Sequence, residues 1–301
     1  MLGHMSSGRV VLVTGRQRTG TSVFRQLLAT VPDVVDVGEI FHRGARNLEF
    51  NFYRFSGVQT NGRFDALDRT RLLCIWREYL RSTFARTRAA TLVIDTKAEY
   101  FPDIRDPDAT GVWPIFPVTF RPDNNLFVMR LRRRNALAQL VSLKLANETD
   151  VWGVVSPNTR RTRIDWMNRI YAKVNLYKPA TYKKISLDEA TIVEDIATTI
   201  AVDQELDGYL SSGVNASIFF YEEMFDNNGR FSNDTIDQCS RILGCSPTDF
   251  DARPTHEKIA PRQFSACVEN WQVIREVVAS SPYAWMLDGY DGATESGADA
   301  R

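Results

Sequence analysis

The sequence has no surplus of charge of either sign, no paired cysteine motif and no long apolar run. Lysine plus arginine and aspartate plus glutamate each number 37, so nothing global draws the chain to nucleic acid or to an anionic membrane surface. Its four cysteines, Cys74, Cys239, Cys245 and Cys267, include no C-x-x-C pair. Neither a zinc site nor a redox dithiol is legible, and the expectation is buried thiols in a reducing, cytoplasmic compartment. No apolar stretch approaches the roughly 20 residues that cross a bilayer, so no transmembrane segment is expected. No carboxylates cluster at metal-ligand spacing, and no metal is expected. Internal repeats and low-complexity tracts are also missing. Residues 1–7, opening Met1-Leu2-Gly3-His4-Met5, read as a cloning scar, and the small, polar residues 291–301 as a flexible tail. A domain of a longer protein stays open, and the oligomeric state is not legible.

What is present suits a globular enzyme: 301 residues, 44% hydrophobic and 25% charged. Strand-like runs fall at 10–14, 34–38, 91–96, 125–131 and 217–222. Most are continuously apolar rather than alternating, as in parallel strands covered on both faces. Helical patterns lie between them, at Val23–Thr30, 65–88, 136–147, from a capping box at Ser186–Glu189 to about Gly213, at Asn233–Leu243 before Gly244, and at 264–279. The expected fold is α/β: one domain over 8–290, containing a phosphate loop, with a central parallel sheet of about five strands and helices on both faces. Residues 99–124, rich in proline and aromatics, and residues 150–165 break the pattern as lids or as ordinary surface insertions.

Directly after the first apolar run stands Gly15-Arg-Gln-Arg-Thr-Gly20-Thr-Ser22. Nucleotide kinases carry G-x-x-x-x-G-K-[ST] between a strand and a helix. Gly15, Gly20 and Ser22 keep that pattern, Thr21 stands where the lysine would be, and the nearest cation is Arg18. Backbone N–H groups from Arg18 through Thr19, Gly20 and Thr21 to Ser22 suit an oxyanion at a helix N-terminus. The missing lysine argues against ATP γ-phosphate chemistry. A second candidate anion site follows the fourth strand: Arg134 at a basic turn, and Ser142 eight residues on, along the next helix. A nucleotide bearing both 5′ and 3′ phosphates would need both sites.

At this point the chain resembles the sulfotransferases that use 3′-phosphoadenosine-5′-phosphosulfate (PAPS). Arg18–Ser22 resembles their 5′-phosphosulfate loop, Arg134 through Ser142 their 3′-phosphate motif, and Phe220-Tyr221-Glu222-Glu223-Met224 a segment near the nucleotide. Gly38-Glu39-Ile40-Phe41 and Asn270-Trp271 are most similar to bacterial carbohydrate and glycolipid sulfotransferases. The motifs are short and spread over about 10–287; residues 45–90 and 99–124 show no match.

Glu39 ends the second strand, where open α/β sheets bind ligands, and could take the proton of an acceptor hydroxyl. The resemblance implies that same role, against a salt-bridged or turn-capping carboxylate. His42 is the rival base. Asp95-Thr96-Lys97 ends the third strand. Asp95 there would suit magnesium in a kinase; Lys97 would lie near the transferring sulfonate or the acceptor, or be solvated. Lys258 and Arg262 fit a late basic segment that closes over the 3′-phosphate in the wider family, although its Arg-Lys-Gly pattern is absent. Phe41, Phe50, Phe52, Tyr53 and Phe55 suit core packing more than a sugar platform.

The resemblance implies sulfuryl transfer from PAPS to a carbohydrate or glycolipid hydroxyl, with adenosine 3′,5′-diphosphate as product, and no nucleic-acid partner. Two alternatives stay open: a nucleotide or small-molecule kinase with a degenerate loop, and a non-catalytic nucleotide- or sulfoglycan-binding module.

Overall fold

Five parallel strands, β1 (Arg9–Gly15), β2 (Val34–Glu39), β3 (Thr91–Lys97), β4 (Leu126–Arg132) and β6 (Ala216–Phe220), form one sheet in the order β2-β3-β1-β4-β6. The computed structural model describes residues 8–42, 49–60, 69–97, 125–149, 154–155, 184–211, 216–254, 256–257 and 263–288. The α/β expectation with a central parallel sheet holds, and the strand limits lie within about two residues of the apolar runs. Parallel neighbours need crossover connections. The chain reaches β2 through helix α1 (Thr21–Leu28), and β3 through α2 (Phe52–Thr60) and α3 (Arg69–Thr87). Continuing in chain order, the helices are α4 (Ala136–Thr149), α5 (Ile192–Ser211), α6 (Asn233–Leu243) and α7 (Trp271–Ala279). No described helix is long and apolar enough to cross a membrane.

Contacts divide the chain into two compact units, residues 1–132 with 203–254, and residues 133–202 with 255–301. The first holds the sheet. Val11, Val13, Val93, Met129, Leu131 and Phe219 point to one face of it, where they pack on Phe24, Leu27 and Leu28 of α1 and Ile236, Cys239 and Leu243 of α6. The opposite face meets the C-terminal half of α5 through an ion pair from the fully buried Arg130 to Asp203. Helix α6 matches its expected limits because its stops are local: the Ser232 side chain accepts from Thr235 N–H, and Gly244 ends the helix at φ 66°.

The second unit has its own core, in which Leu137, Val141 and Leu145 of α4 pack with Ile192 and Ile196 of α5, and with Phe264, Trp271, Ile274 and Val278. Its two-residue strands Val154–Val155 (β5) and His256–Glu257 (β7) pair antiparallel. Two expectations are corrected here. Ser186 does not open a helix: Ile185 is held in a bridge with Val268, and α5 starts only at Ile192, with Asp188 Oδ1 accepting from Ala190 N–H at 2.9 Å. The same bridge breaks the expected 264–279 helix into a single 3₁₀ turn at Phe264–Ala266 and α7. Asn270, between them, exchanges two hydrogen bonds with the backbone of Leu187.

Helix α2 lies in a stretch that the sequence pattern left unassigned. It forms because Phe52 is buried among Phe41, Trp76 and Tyr79, with ring centroids 5.4–5.5 Å from Phe52. Phe41 and Phe52 are therefore core, as expected.

Candidate functional site

The turn from β1 to α1 is built around two glycines that tolerate nothing larger. A Cβ on Gly15 would lie 2.6 Å from Thr19 Oγ1 and 2.8 Å from the Leu131 carbonyl oxygen. Arg18 turns the chain at φ 67° and Gly20 at φ 87°, both in the left-handed region. The buried Thr19 hydroxyl ties the turn by donating to the Arg16 carbonyl at 2.7 Å. Gly20 is the N-cap of α1, and no side chain caps that end. The first N–H groups of α1, at Thr21, Ser22 and Val23, thus have no intrahelical acceptor, and the helix dipole adds positive potential there. Thr21 is buried and Ser22 exposed. The ring of Tyr221, just past β6, lies against the turn: a Cβ on Gly20 would sit 2.8 Å from Tyr221 Cδ2.

Beside this turn, on the α1 face of the sheet, five charged side chains interlock. Lys97 ends β3 in register with Gly15 of β1, and Glu39 of β2 is in register with Asp95 of β3. The buried Lys97 ammonium donates to Thr21 Oγ1, lies 2.5 Å from Asp95 Oδ2 and 3.4 Å from Glu39 Oε1. Arg25 of α1 closes the other side, with Nη1 2.6 Å from both oxygens of Asp36 and Nε 2.9 Å from Asp95 Oδ2. A β-bulge makes this possible. Asp36 pairs with Val93 and Gly38 with Ile94, so Val37 is an extra residue, and Gly38 takes up the strain at φ 80°. Residues three apart in a regular strand face opposite ways; the bulge turns Asp36 and Glu39 to one face.

Burial sets the electrostatics. Asp95 is fully buried, which pushes its carboxyl up from the ordinary aspartate range; Lys97 and Arg25 oppose that rise, and Glu39 adds to it. Burial alone would lower the Arg25 pKa, but Asp36 and Asp95 outweigh it and hold the guanidinium above its ordinary value. The Asp95 Oδ1 atom is buried without a hydrogen-bond partner.

Among the sequence candidates, then, Thr21, Glu39 and Lys97 meet, and Tyr221 covers Gly20. His42 follows Glu39 in a tight turn, its N–H donating to the Glu39 carbonyl at 3.2 Å, and its own carbonyl accepts from Asn51 Nδ2 at 2.9 Å. Asp95 is committed to two cations, which disfavours the magnesium role considered for it. In the second unit, Arg134 is exposed in the turn before α4, and Ser142 is buried on that helix's second turn. Lys258 and Arg262 lie outside the described residues. Sequence reading missed Arg25 and Asp36. Their only signal is a lone arginine beside apolar helix positions and a lone aspartate in Val34-Val35-Asp36-Val37.

No model of a known protein family matches the chain, and no curated protein sequence matches it.

Proposed function

We propose that the chain is a PAPS-dependent sulfotransferase acting on a hydroxyl of a carbohydrate or glycolipid. The observation that carries this reading is the meeting of an open helix N-terminus, a buried ammonium and a partly exposed carboxylate: Lys97 bonds Thr21 at the head of α1 and lies 3.4 Å from Glu39, whose side chain is 26% exposed. The glycine turn, whose N-cap Gly20 brings no side-chain hydrogen bond to the head of α1, fits the anionic 5′ end of such a nucleotide as a phosphate loop. Lys97 of the neighbouring strand brings a cation to Thr21, the residue that stands at the lysine position of the kinase pattern.

When bound, PAPS supplies an activated sulfuryl group. The acceptor oxygen would attack sulfur in line while the sulfur–oxygen bond to the 5′-phosphate breaks, and adenosine 3′,5′-diphosphate leaves with the electron pair. Glu39 would take the acceptor proton, needed because a sugar hydroxyl hardly ionises near neutral pH. Lys97, Arg18 and the loop N–H groups would stabilise charge growing on the leaving oxygen. The roles of Arg134 and Ser142 toward a 3′-phosphate, and of Lys258 and Arg262, rest on the sequence motifs.

The test is incubation with sulfur-labelled PAPS and a panel of sugars, glycolipids and simple phenols. Label should pass to carbohydrate hydroxyls and survive EDTA. Transfer to phenols alone would overturn the acceptor class, and a chelator-sensitive activity restored by magnesium would favour the kinase reading. Donor binding with no transfer would favour the binding module. Adenosine 3′,5′-diphosphate should raise Tm more than AMP does, and Arg134→Ala should erase most of that difference. Equal shifts in the unmodified protein would remove the 3′-phosphate assignment.

A further inference from the structure

We propose that Asp95 is a positioning residue for the Lys97 ammonium, and that Arg25 in turn aims Asp95; this rests on the reading that the head of α1 takes the anionic end of a nucleotide. Lys97 stands beside the turn because its strand position is in register with Gly15. Register alone does not place the ammonium, which rides on a flexible four-carbon stem. Its contacts do. Thr21 Oγ1 is neutral, and Glu39 Oε1 at 3.4 Å is long for a hydrogen bond. Asp95 Oδ2 at 2.5 Å is the close ionic partner.

The Asp95 carboxylate is itself aimed. The same oxygen, Oδ2, lies 2.9 Å from Arg25 Nε, and Oδ1 has no hydrogen-bond partner. Two cations therefore converge on one oxygen and set its direction, Arg25 from α1 and Lys97 from the same strand as Asp95. Burial pushes the carboxyl up, and both cations oppose that push in favour of the charged form. Arg25 is held in turn. Its Nη1 lies 2.6 Å from both oxygens of Asp36, and Asp36 Oδ1 also accepts from Gly38 N–H at 2.9 Å. The line of support runs from the β2 bulge through Asp36, Arg25 and Asp95 to Lys97, and ends at Thr21, the first residue of α1.

Asp95 is fully buried, so it acts on an anion through Lys97 rather than by contact. Its own charge repels the anion, whereas an ammonium already held in place saves the cost of ordering it on binding. The two effects have opposite signs, which makes the role testable.

The experiment is calorimetric titration of the full chain with adenosine 5′-phosphosulfate, comparing Kd of the unmodified protein, Asp95→Asn, Lys97→Met and the double variant. Asp95→Asn should weaken binding about tenfold, within the coupling found between contacting residues. In the Lys97→Met background the same change should leave Kd unchanged or tighten it, because only the repulsion is removed. Equal weakening in both backgrounds would overturn the role. So would tighter binding by Asp95→Asn alone, which would make Asp95 a competitor for the ammonium. Arg25→Gln should weaken binding more in the native background than beside Lys97→Met; equal weakening would remove Arg25 from the line. The unmodified protein gives a second readout if a variant does not fold. A held, buried ammonium exchanges its protons slowly enough for a signal in nitrogen–proton NMR, and the ligand-free protein should show one that correlates with the Thr21 methyl. Its absence before ligand is added would overturn the preset position. No binding of adenosine 5′-phosphosulfate by the unmodified protein would sink the anion reading itself, and the role of Asp95 with it.

Discussion

Two groups of buried charge sit on opposite faces of the same sheet, and they are solved differently. On the α5 face, Arg130 donates to Asp203, to Asp207 at 3.1 Å and to the Leu131 carbonyl, while Arg132 lies 2.8 Å from Asp207. Two cations meet two carboxylates there. On the α1 face, Lys97 and Arg25 are shared among Asp36, Glu39 and Asp95, one Asp95 oxygen is buried without a hydrogen-bond partner, and the cluster borders the head of α1, where Gly20 brings no side-chain cap. Buried charges persist when paired and bonded. The balanced group behaves as a fastening between β4 and α5. The α1-face group keeps a buried carboxylate oxygen without a hydrogen-bond partner and an upward-shifted Asp95, and such perturbed clusters mark candidate functional sites.

The strongest way to break this contrast is Glu39→Gln. The change is nearly isosteric and removes the negative charge that faces Lys97. Label transfer from PAPS should fall about 10²–10⁴-fold in kcat, with donor binding checked separately, while Tm holds or rises. His42→Ala should lose far less activity; a dead but PAPS-binding His42→Ala beside a fully active Glu39→Gln would move the base to the histidine. Next comes the fastening itself. Asp203→Ala leaves the fully buried Arg130 with only Asp207 and the Leu131 carbonyl, and urea unfolding should show a loss of up to about 3–5 kcal/mol. Nucleotide affinity of the protein that remains folded should be unchanged. A mild loss would mean that the two faces do not differ in kind.

A smaller effect separates the groups by pH. Because the folded Asp95 carboxyl titrates above its ordinary value of 3.8, the folded state holds a proton that the unfolded chain has already released. Stability should thus fall as pH rises through that window, by at most about 1.4 kcal/mol per pH unit. Asp95→Asn should flatten this part of the unfolding profile, and an unchanged slope would remove Asp95 as its source. The smallest expected change is Arg132→Ala. Its ion pair is 29% and 26% exposed, so the loss should be about 0.2–1 kcal/mol, well below that of Asp203→Ala in the same cluster.

The strands were legible because parallel strands buried on both faces write themselves as apolar runs such as Leu126-Phe127-Val128-Met129. Helix α6 was legible because Ser232 and Gly244 act within one turn of its ends. The start of α5 and the break before α7 were not, because both depend on a bridge between Ile185 and Val268, 83 residues apart. The candidate site divides the same way. Thr21, Glu39 and Lys97 each stand out at strand or helix ends. Their meeting follows from a strand order that puts β3 between β2 and β1, and no local pattern states that order. Arg25 and Asp36 escaped notice because one charge in an apolar segment looks the same whether it is solvated or paired across the sheet.

The extra residue in β2 has an evolutionary corollary. Val37 makes the strand one residue too long for Asp36 and Glu39 to share a face, and Gly38 absorbs the excess with a backbone angle that other residues resist. A homologue lacking the residue at 37 would reach the same arrangement with a regular strand, and would be free to carry any side chain at 38. Across an alignment of descendants, a gap at one position and the loss of glycine at the next should therefore be inherited together, while the two acidic positions on either side stay fixed.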